Sequence, residues 1–464
     1  MRNRKKRIET FSFFDHAGIS RHLEEMASKG WMIEKLTNFA WVYRRIEPKK
    51  VTFAVSYYPK ASEFDPEPSE EQKTFHEFCL HTGWKLACTS AQLQIFYNER
   101  EHPIPIETEP ALEVESIHAS AKKSFIPSYF LLFLISLISG GLFIGGMLRD
   151  PIGQLSSPTN LFTGSCFLVL FAICMMELVC YFRWHSQAKR AAEQGEFLKP
   201  VSTSKFQKVM LAVILIGAIY WVANFILCGD KFRRWAGIIM CLYMPMLIFL
   251  VNATKNHLKR KKVSRGVNRT ITLFVDVVLA FALMGIITFS TIKLSSMGFF
   301  AENSDETYEY GGMTWVIHND ELPLTIEDLT GEEPEGYIKE QRGEESLLLG
   351  EFDLRQYPRF DAENYKDLPH LEYTVVHVKL PALYDICKEQ LIYEGEHLHP
   401  IEEKRYEKQD ASPWGAKEAY RLYDPQYGWR NDYLLCYDDL LVEISFDWEP
   451  AIHQMQIAGE KFHP

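Results

Sequence analysis

The chain has 464 residues, 47% of them hydrophobic, with 61 acidic and 50 basic side chains and a formal charge of −11. That length suggests about three domains. The charge is divided, roughly +11 through residue 292 and roughly −22 beyond it, a compartment or partner signal rather than a fold signal; most basic residues flank apolar runs, so membrane lipid rather than nucleic acid is the expected partner.

The basic start, Arg2 to Arg7, leads into a short mixed run without a long apolar stretch or a small-residue cleavage site, so no cleavable signal peptide is expected. Apolar spacing predicts a helix over 20–29, stopped by Gly30. Two strand-like runs follow, 31–36 and 41–46, around a turn that includes Thr37 and Asn38, and 51–58 is a third. A Pro- and acid-rich loop, 59–69, precedes a second helix over 70–82, and the runs 84–88 and 93–97 repeat the strand pair. Helix, Gly30-Trp31 and a hairpin ending in Val42-Tyr43 are thus echoed by helix, Gly83-Trp84 and a hairpin ending in Phe96-Tyr97. Glycine suits the helix C-cap and tryptophan opens a buried strand. Two such units sharing one sheet would make a cytoplasmic α+β domain over 1–115.

Five apolar runs occupy 116–292: 125–147, 161–182, 209–228, 235–251 and 271–292. Each approaches the roughly 20 residues that cross a bilayer core. The connection 183–208 holds about six basic residues and 252–270 about seven, whereas 148–160 holds one, Arg149, and 229–234 holds three. Lys and Arg favour the cytoplasmic side, so the alternation predicts a cytoplasmic N-terminus and an extracytoplasmic C-terminus. The fourth run is the weakest, being short, carrying Pro245 and following three cations; a re-entrant fourth run would return the C-terminus to the cytoplasm.

Two acids interrupt the apolar runs, Glu177 and Asp276. Each lies about five residues, hence roughly 8 Å, from the cytoplasmic end of its run. Charge in lipid is costly, so both should face the bundle or reach the interface. One reading is a shared proton or cation site near Asn224 or Lys208; the commoner reading is an interfacial acid paired with a loop cation. Gly141 and Gly145 form a small-residue motif that lets helix backbones approach, and packing within the chain is its expected use.

A polar stalk, 293–310, leads to an acidic domain over 311–464. Strand signals at 312–318, 347–354, 373–380, 433–436 and 440–446, with helices over 382–390 and 451–462, describe a second α+β domain. Cys387 and Cys436 are its only cysteines. Outside the cell a disulfide between them is permitted, and two separate thiols are an equal alternative. His397 and His399, beside Glu394, Glu396, Glu402 and Glu403, form a weak pattern for a divalent transition metal, with a solvated loop as the ordinary alternative. The acids of 332–335 could attract calcium or cationic peptides, with a solvated face as the ordinary reading. Aromatic residues from Trp414 to Trp429 either line a groove or fill the core.

Catalytic patterns are lacking. His76 and His81 are five apart, not the four that a zinc-protease helix needs. There is no Gly-rich loop ending in Gly-Lys-Ser/Thr, no Gly-x-Gly-x-x-Gly and no Gly-x-Ser-x-Gly. No enzyme activity and no cofactor are expected.

Phe13-Phe14-Asp15-His16, the helix ending in Gly30-Trp31, the strand Tyr43-Arg44-Arg45 and the Gly83-Trp84 unit resemble the bacterial domain-of-unknown-function family 2812. The resemblance covers roughly the first quarter of the chain. It implies a membrane protein of Gram-positive bacteria, often encoded beside a PadR-type transcription regulator, and it brings no catalytic residues. The chain thus reads as a multi-pass α-helical membrane protein of about five spans with a small N-terminal and a C-terminal α+β domain. Its expected role is non-enzymatic signalling between an extracytoplasmic ligand and a cytoplasmic protein partner. The alternative is a transporter or transporter accessory subunit that uses the intramembrane acids.

Overall fold

The computed structural model describes residues 3–37, 40–227, 231–297, 299, 306–331, 336–362, 365, 368–397 and 404–463. Asn38, Cys228, His399, Glu402, Glu403 and the acids of 332–335 lie outside the described residues. The chain divides into two compact units, Met1–Ile138 with Cys166–Met297, and Ser139–Ser165 with Gly298–Pro464.

The first unit begins with a duplicated β-α-β-β module. The first copy is β1 (Arg4–Arg7), α1 (His16–Ser28), β2 (Trp31–Leu36) and β3 (Trp41–Arg45); the second is β4 (Thr52–Tyr57), α2 (Glu70–His81), β5 (Lys85–Ser90) and β6 (Leu93–Asn98). The expected shared sheet is not found. Each copy keeps its own antiparallel sheet, β1-β3-β2 and β4-β6-β5, because each recruits the strand before its helix to pair with its last strand. The copies match in detail. Ile33 pairs with Tyr43 and Lys35 with Val42, bulging at Glu34, while Leu86 pairs with Phe96 and Cys88 with Ile95, bulging at Ala87. Tyr43 thus corresponds to Phe96, one residue off the sequence alignment of Val42-Tyr43 with Phe96-Tyr97. Gly30 and Gly83 both turn out of their helices at positive φ, +80° and +95°, where a side chain is disfavoured.

Helix α1 is capped by Asp15, whose carboxylate accepts from the Gly18 amide, and α2 by Ser69, which accepts from the Gln72 amide. After β6 come α3 (Pro110–Lys123) and, across the single residue Ser124, α4 (Phe125–Arg149). One apolar core gathers Phe14, Leu23, Met26, Tyr43, Ile95 and Ile117 from the module with Phe125, Tyr181 and Trp184 from the long helices.

A short α5 (Pro151–Ser156) separates α4 from α6 (Pro158–Glu193), followed by α7 (Ser204–Leu227), α8 (Lys231–Arg260) and α9 (Arg265–Ser296). The five helices α4, α6, α7, α8 and α9 are long and apolar enough to cross a membrane, and outward-facing Ile219, Phe249 and Phe281 are exposed. Pro245 lies inside α8 without ending it; the weak fourth run is one continuous helix, not a re-entrant hairpin.

In the second unit, β7 (Glu306–Tyr310) and β8 (Met313–Ile317) form a hairpin, so the expected stalk ends in a strand, anchored by buried Tyr308. After α10 (Ile326–Thr330) come β9 (Tyr337–Glu345), β10 (Leu349–Pro358), β11 (Leu371–Val378), α11 (Tyr384–His397), β12 (Arg405–Gln409), β13 (Glu418–Asp424), β14 (Gly428–Cys436), β15 (Leu440–Phe446) and α12 (Ile452–Phe462). The seven strands from β9 to β15 form one antiparallel sheet, order β12-β13-β14-β15-β11-β10-β9. Side chains alternate between its faces. Tyr373, Leu435, Val442 and Ile444 join Trp414 and Phe462 in one cluster, while Val376, Leu434, Cys436 and Leu441 join Cys387 and Leu391 in another. The second cluster also takes Ile152 and Leu155 of α5.

Candidate functional site

The segment before α1 runs between the module and the first turns and ends of the long helices. Phe14 is fully buried, with rings of Tyr181, Trp184 and Phe125 at 5.4, 5.6 and 6.0 Å. Two residues earlier, Ser12 Oγ donates to Glu177 Oε1 at 3.0 Å. The same oxygen accepts from Gln207 Nε2 at 2.8 Å and from the Thr203 hydroxyl. Ser12 Oγ lies 2.6 Å from Thr203 Oγ1, and Thr10 Oγ1 lies 3.4 Å from Ser204 Oγ. Glu177 is 1% exposed, and its second oxygen, Oε2, has no hydrogen-bond partner. Three polar side chains from two distant segments thus converge on one buried carboxylate, which offsets part of its desolvation.

A second junction joins the acid-rich loop to the ends of α8 and α9. Lys255 pairs with Glu63 at 2.7 Å and Lys262 with Glu67 at 2.6 Å. Lys259 Nζ donates to the Glu63 carbonyl at 3.1 Å, and Arg265 donates to the Lys60 carbonyl at 3.0 Å. Fully buried Asn268 donates to the Phe64 carbonyl at 3.2 Å. The basic connection between these helices is therefore occupied largely by the module's own loop.

On the other side of His16 the module holds a cavity of ≈ 570 Å³. His16 Nδ1 lies 3.2 Å from the Phe14 carbonyl and Nε2 lies 2.8 Å from Glu113 Oε1. Burial alone would depress this imidazole, but the hydrogen bond and charge of Glu113, helped by the Phe14 carbonyl, raise its pKa above 6.5. Glu107, on the same cavity, accepts from Ser56 Oγ at 2.7 Å. Burial raises the Glu107 pKa above 4.5; the Ser56 bond opposes the rise and the Glu113 charge adds to it.

Residues 16–129 match the family described as "Protein of unknown function (DUF2812)". This segment is a DUF2812 domain. Neither a curated protein nor a solved structure matches the chain.

The other expected residues are dispersed. Glu177 lies in the first unit beside the DUF2812 domain, but Asp276, half-buried on α9, is outside its hydrogen-bond network, and Asn224 is half-buried on α7. Among the described residues no heavy atom comes within 4 Å of a Cβ built on Gly141 or Gly145, whereas Phe143 packs over Gly164. Cys387 and Cys436 are buried free thiols, each raised to about 11 mainly by burial. The His397 ring stacks on Tyr393 with centroids 4.2 Å apart, its Nδ1 2.8 Å from the Tyr393 carbonyl. Among the described residues no three His, Cys, Asp or Glu are grouped as a metal would require. Of the aromatic run, Trp414 is core while Tyr427 and Trp429 are exposed. Sequence reasoning missed Ser12, Thr203 and Gln207, whose only trace was an acid without an explained partner in an apolar run.

Proposed function

We propose that the protein is a non-enzymatic integral membrane protein of a bacterial cell membrane that passes a state between a C-terminal extracytoplasmic domain and the cytoplasmic DUF2812 domain, which binds a protein partner. The observation that carries this reading is the buried Glu177 node. It ties the segment entering α1 to the body of a long apolar helix, so a shift of that helix is felt at the domain.

The connections agree with the orientation. Thr10 and Ser12, just before the DUF2812 domain, bond to the second connection at Ser204 and Thr203, and Glu67 of the domain pairs with Lys262 of the fourth. The first connection, through Ile152 and Leu155, packs into the C-terminal sheet domain. Alternate connections belong to opposite sides when each long helix crosses. The test is labelling of Tyr427→Cys, an exposed position, with an impermeant maleimide against the wild-type background. Labelling in intact cells is expected; labelling only after permeabilisation overturns the orientation and with it the relay.

Transport is the second reading, favoured by the unpartnered Oε2 of Glu177. Unaltered substrate flux or resistance in the double variant Glu177→Gln/Asp276→Asn would dismiss it.

A further inference from the structure

The cavity beside His16 is bounded by the start of α1, strand β4, residues 101–107 and residues 197–199. At ≈ 570 Å³ it falls within the roughly 300–1,000 Å³ of small-molecule sites. Pro105, Ile106 and the exposed ring of Phe197 give it apolar wall, while Phe53, Val55 and Trp84 border it from the core.

The charges around it are unequal in their partners. Glu113 is matched by His16. One nitrogen of that ring faces a carbonyl and the other a carboxylate; both must donate, so His16 is an imidazolium. Glu107 accepts from the Ser56 hydroxyl and feels the charge of His16, whose hydrogen bond is spent on Glu113; among the described residues no Lys or Arg pairs with it. Lys199 and Glu101 are exposed, so water screens them at the rim. Two partly buried carboxylates, Glu107 and Glu113, thus share one imidazolium, which leaves net negative charge facing the cavity.

We propose that this cavity binds an organic cation, an amine or quaternary ammonium with an apolar body, its charge against Glu107 and its body against Phe197, Pro105 and Ile106. An anion would meet the carboxylates of Glu101, Glu107 and Glu113. A metal ion would need more oxygen ligands than Glu107 and Ser56 supply. A cation gains both the ion pair and attraction to the exposed face of Phe197. Protons compete with the ligand for Glu107 and keep His16 cationic beside it, so affinity rises with pH. This inference does not rest on the membrane relay; a failed labelling result leaves it intact.

The test is equilibrium dialysis of the full chain in detergent with tetraphenylphosphonium, using triphenylphosphine oxide as the neutral comparator. Expected are saturable one-to-one binding of the cation, about tenfold weaker binding in Glu107→Gln, and preference for the cation over the neutral compound. Phe197→Ala removes an exposed ring (51% exposed) without touching the core and is expected to weaken binding several-fold. Absence of saturable binding, an unchanged Glu107→Gln affinity or equal uptake of the neutral compound overturns the proposal. If Glu107→Gln does not fold, an unchanged Phe197→Ala affinity overturns it instead.

Discussion

Ser12 and Glu177 stand 165 positions apart in the chain and share a hydrogen bond of 3.0 Å in a site closed to solvent. With Thr203 and Gln207 they fasten the approach to α1 onto α6. Replacing Glu177 by Ala leaves these donors without their acceptor, and each buried unpaired group costs about 1–3 kcal/mol. Glu177→Ala is expected to lower thermal stability and to speed hydrogen exchange at residues 10–16. Unchanged exchange there would show that the node holds nothing in place.

The loop clamp is electrostatic and partly exposed, so each pair contributes only about 0–1 kcal/mol and less at high salt. Glu63→Lys or Lys255→Glu alone is expected to loosen residues 59–69 in hydrogen exchange. The swap Glu63→Lys/Lys255→Glu should restore most of the protection. Equal loosening in the swap would argue that the Lys259, Arg265 and Asn268 bonds to backbone carbonyls carry the contact.

The His16–Glu113 pair has a defined pH sense. The folded pKa of His16 is raised above 6.5, so its stabilisation is complete below that value and is lost as pH rises through the raised pKa. Protection of the first turn of α1 should fall as pH rises above 6.5 and through the raised pKa. Glu113→Gln should flatten that slope; a slope unchanged in Glu113→Gln would remove the pair as its source.

The C-terminal domain carries the opposite sign. Burial opposes the charge of Glu327, but bonds from Lys339 at 2.8 Å and Gln356 at 2.9 Å prevail and hold its pKa at about 2. Its contribution is present above 4.5, the ordinary value, and is lost as pH falls toward 2. Lys339→Met is expected to move the acid transition followed by tryptophan fluorescence to higher pH.

The duplication predicts parallel costs. Gly30→Ala and Gly83→Ala each force a side chain into left-handed backbone, at about 1–2 kcal/mol. Similar losses of thermal stability are expected at both positions, and a neutral result at either would break the equivalence of the copies.

The long helices were legible because length and apolar composition suffice to reveal them, and the Gly-Trp echo exposed the duplicated module. Strands carrying charge were not. Arg4–Arg7 and Arg405–Gln409 close sheet edges where one side stays wet, so neither shows an apolar alternation. Tyr337–Glu345, also an edge, is masked by its acids. Glu177 announced itself by its cost in an apolar run, but its partners are short polar residues whose meeting depends on tertiary packing. Likewise nothing local joins His16 to Glu113.

Between α3 and α4 there is only Ser124, and Phe125, the next residue, is already in the domain core. Such a joint leaves little slack. An extra residue there could be accommodated only by shifting the first apolar helix against the domain or by drawing Phe125 from its core, so the spacing at Ser124 fixes how the two are joined.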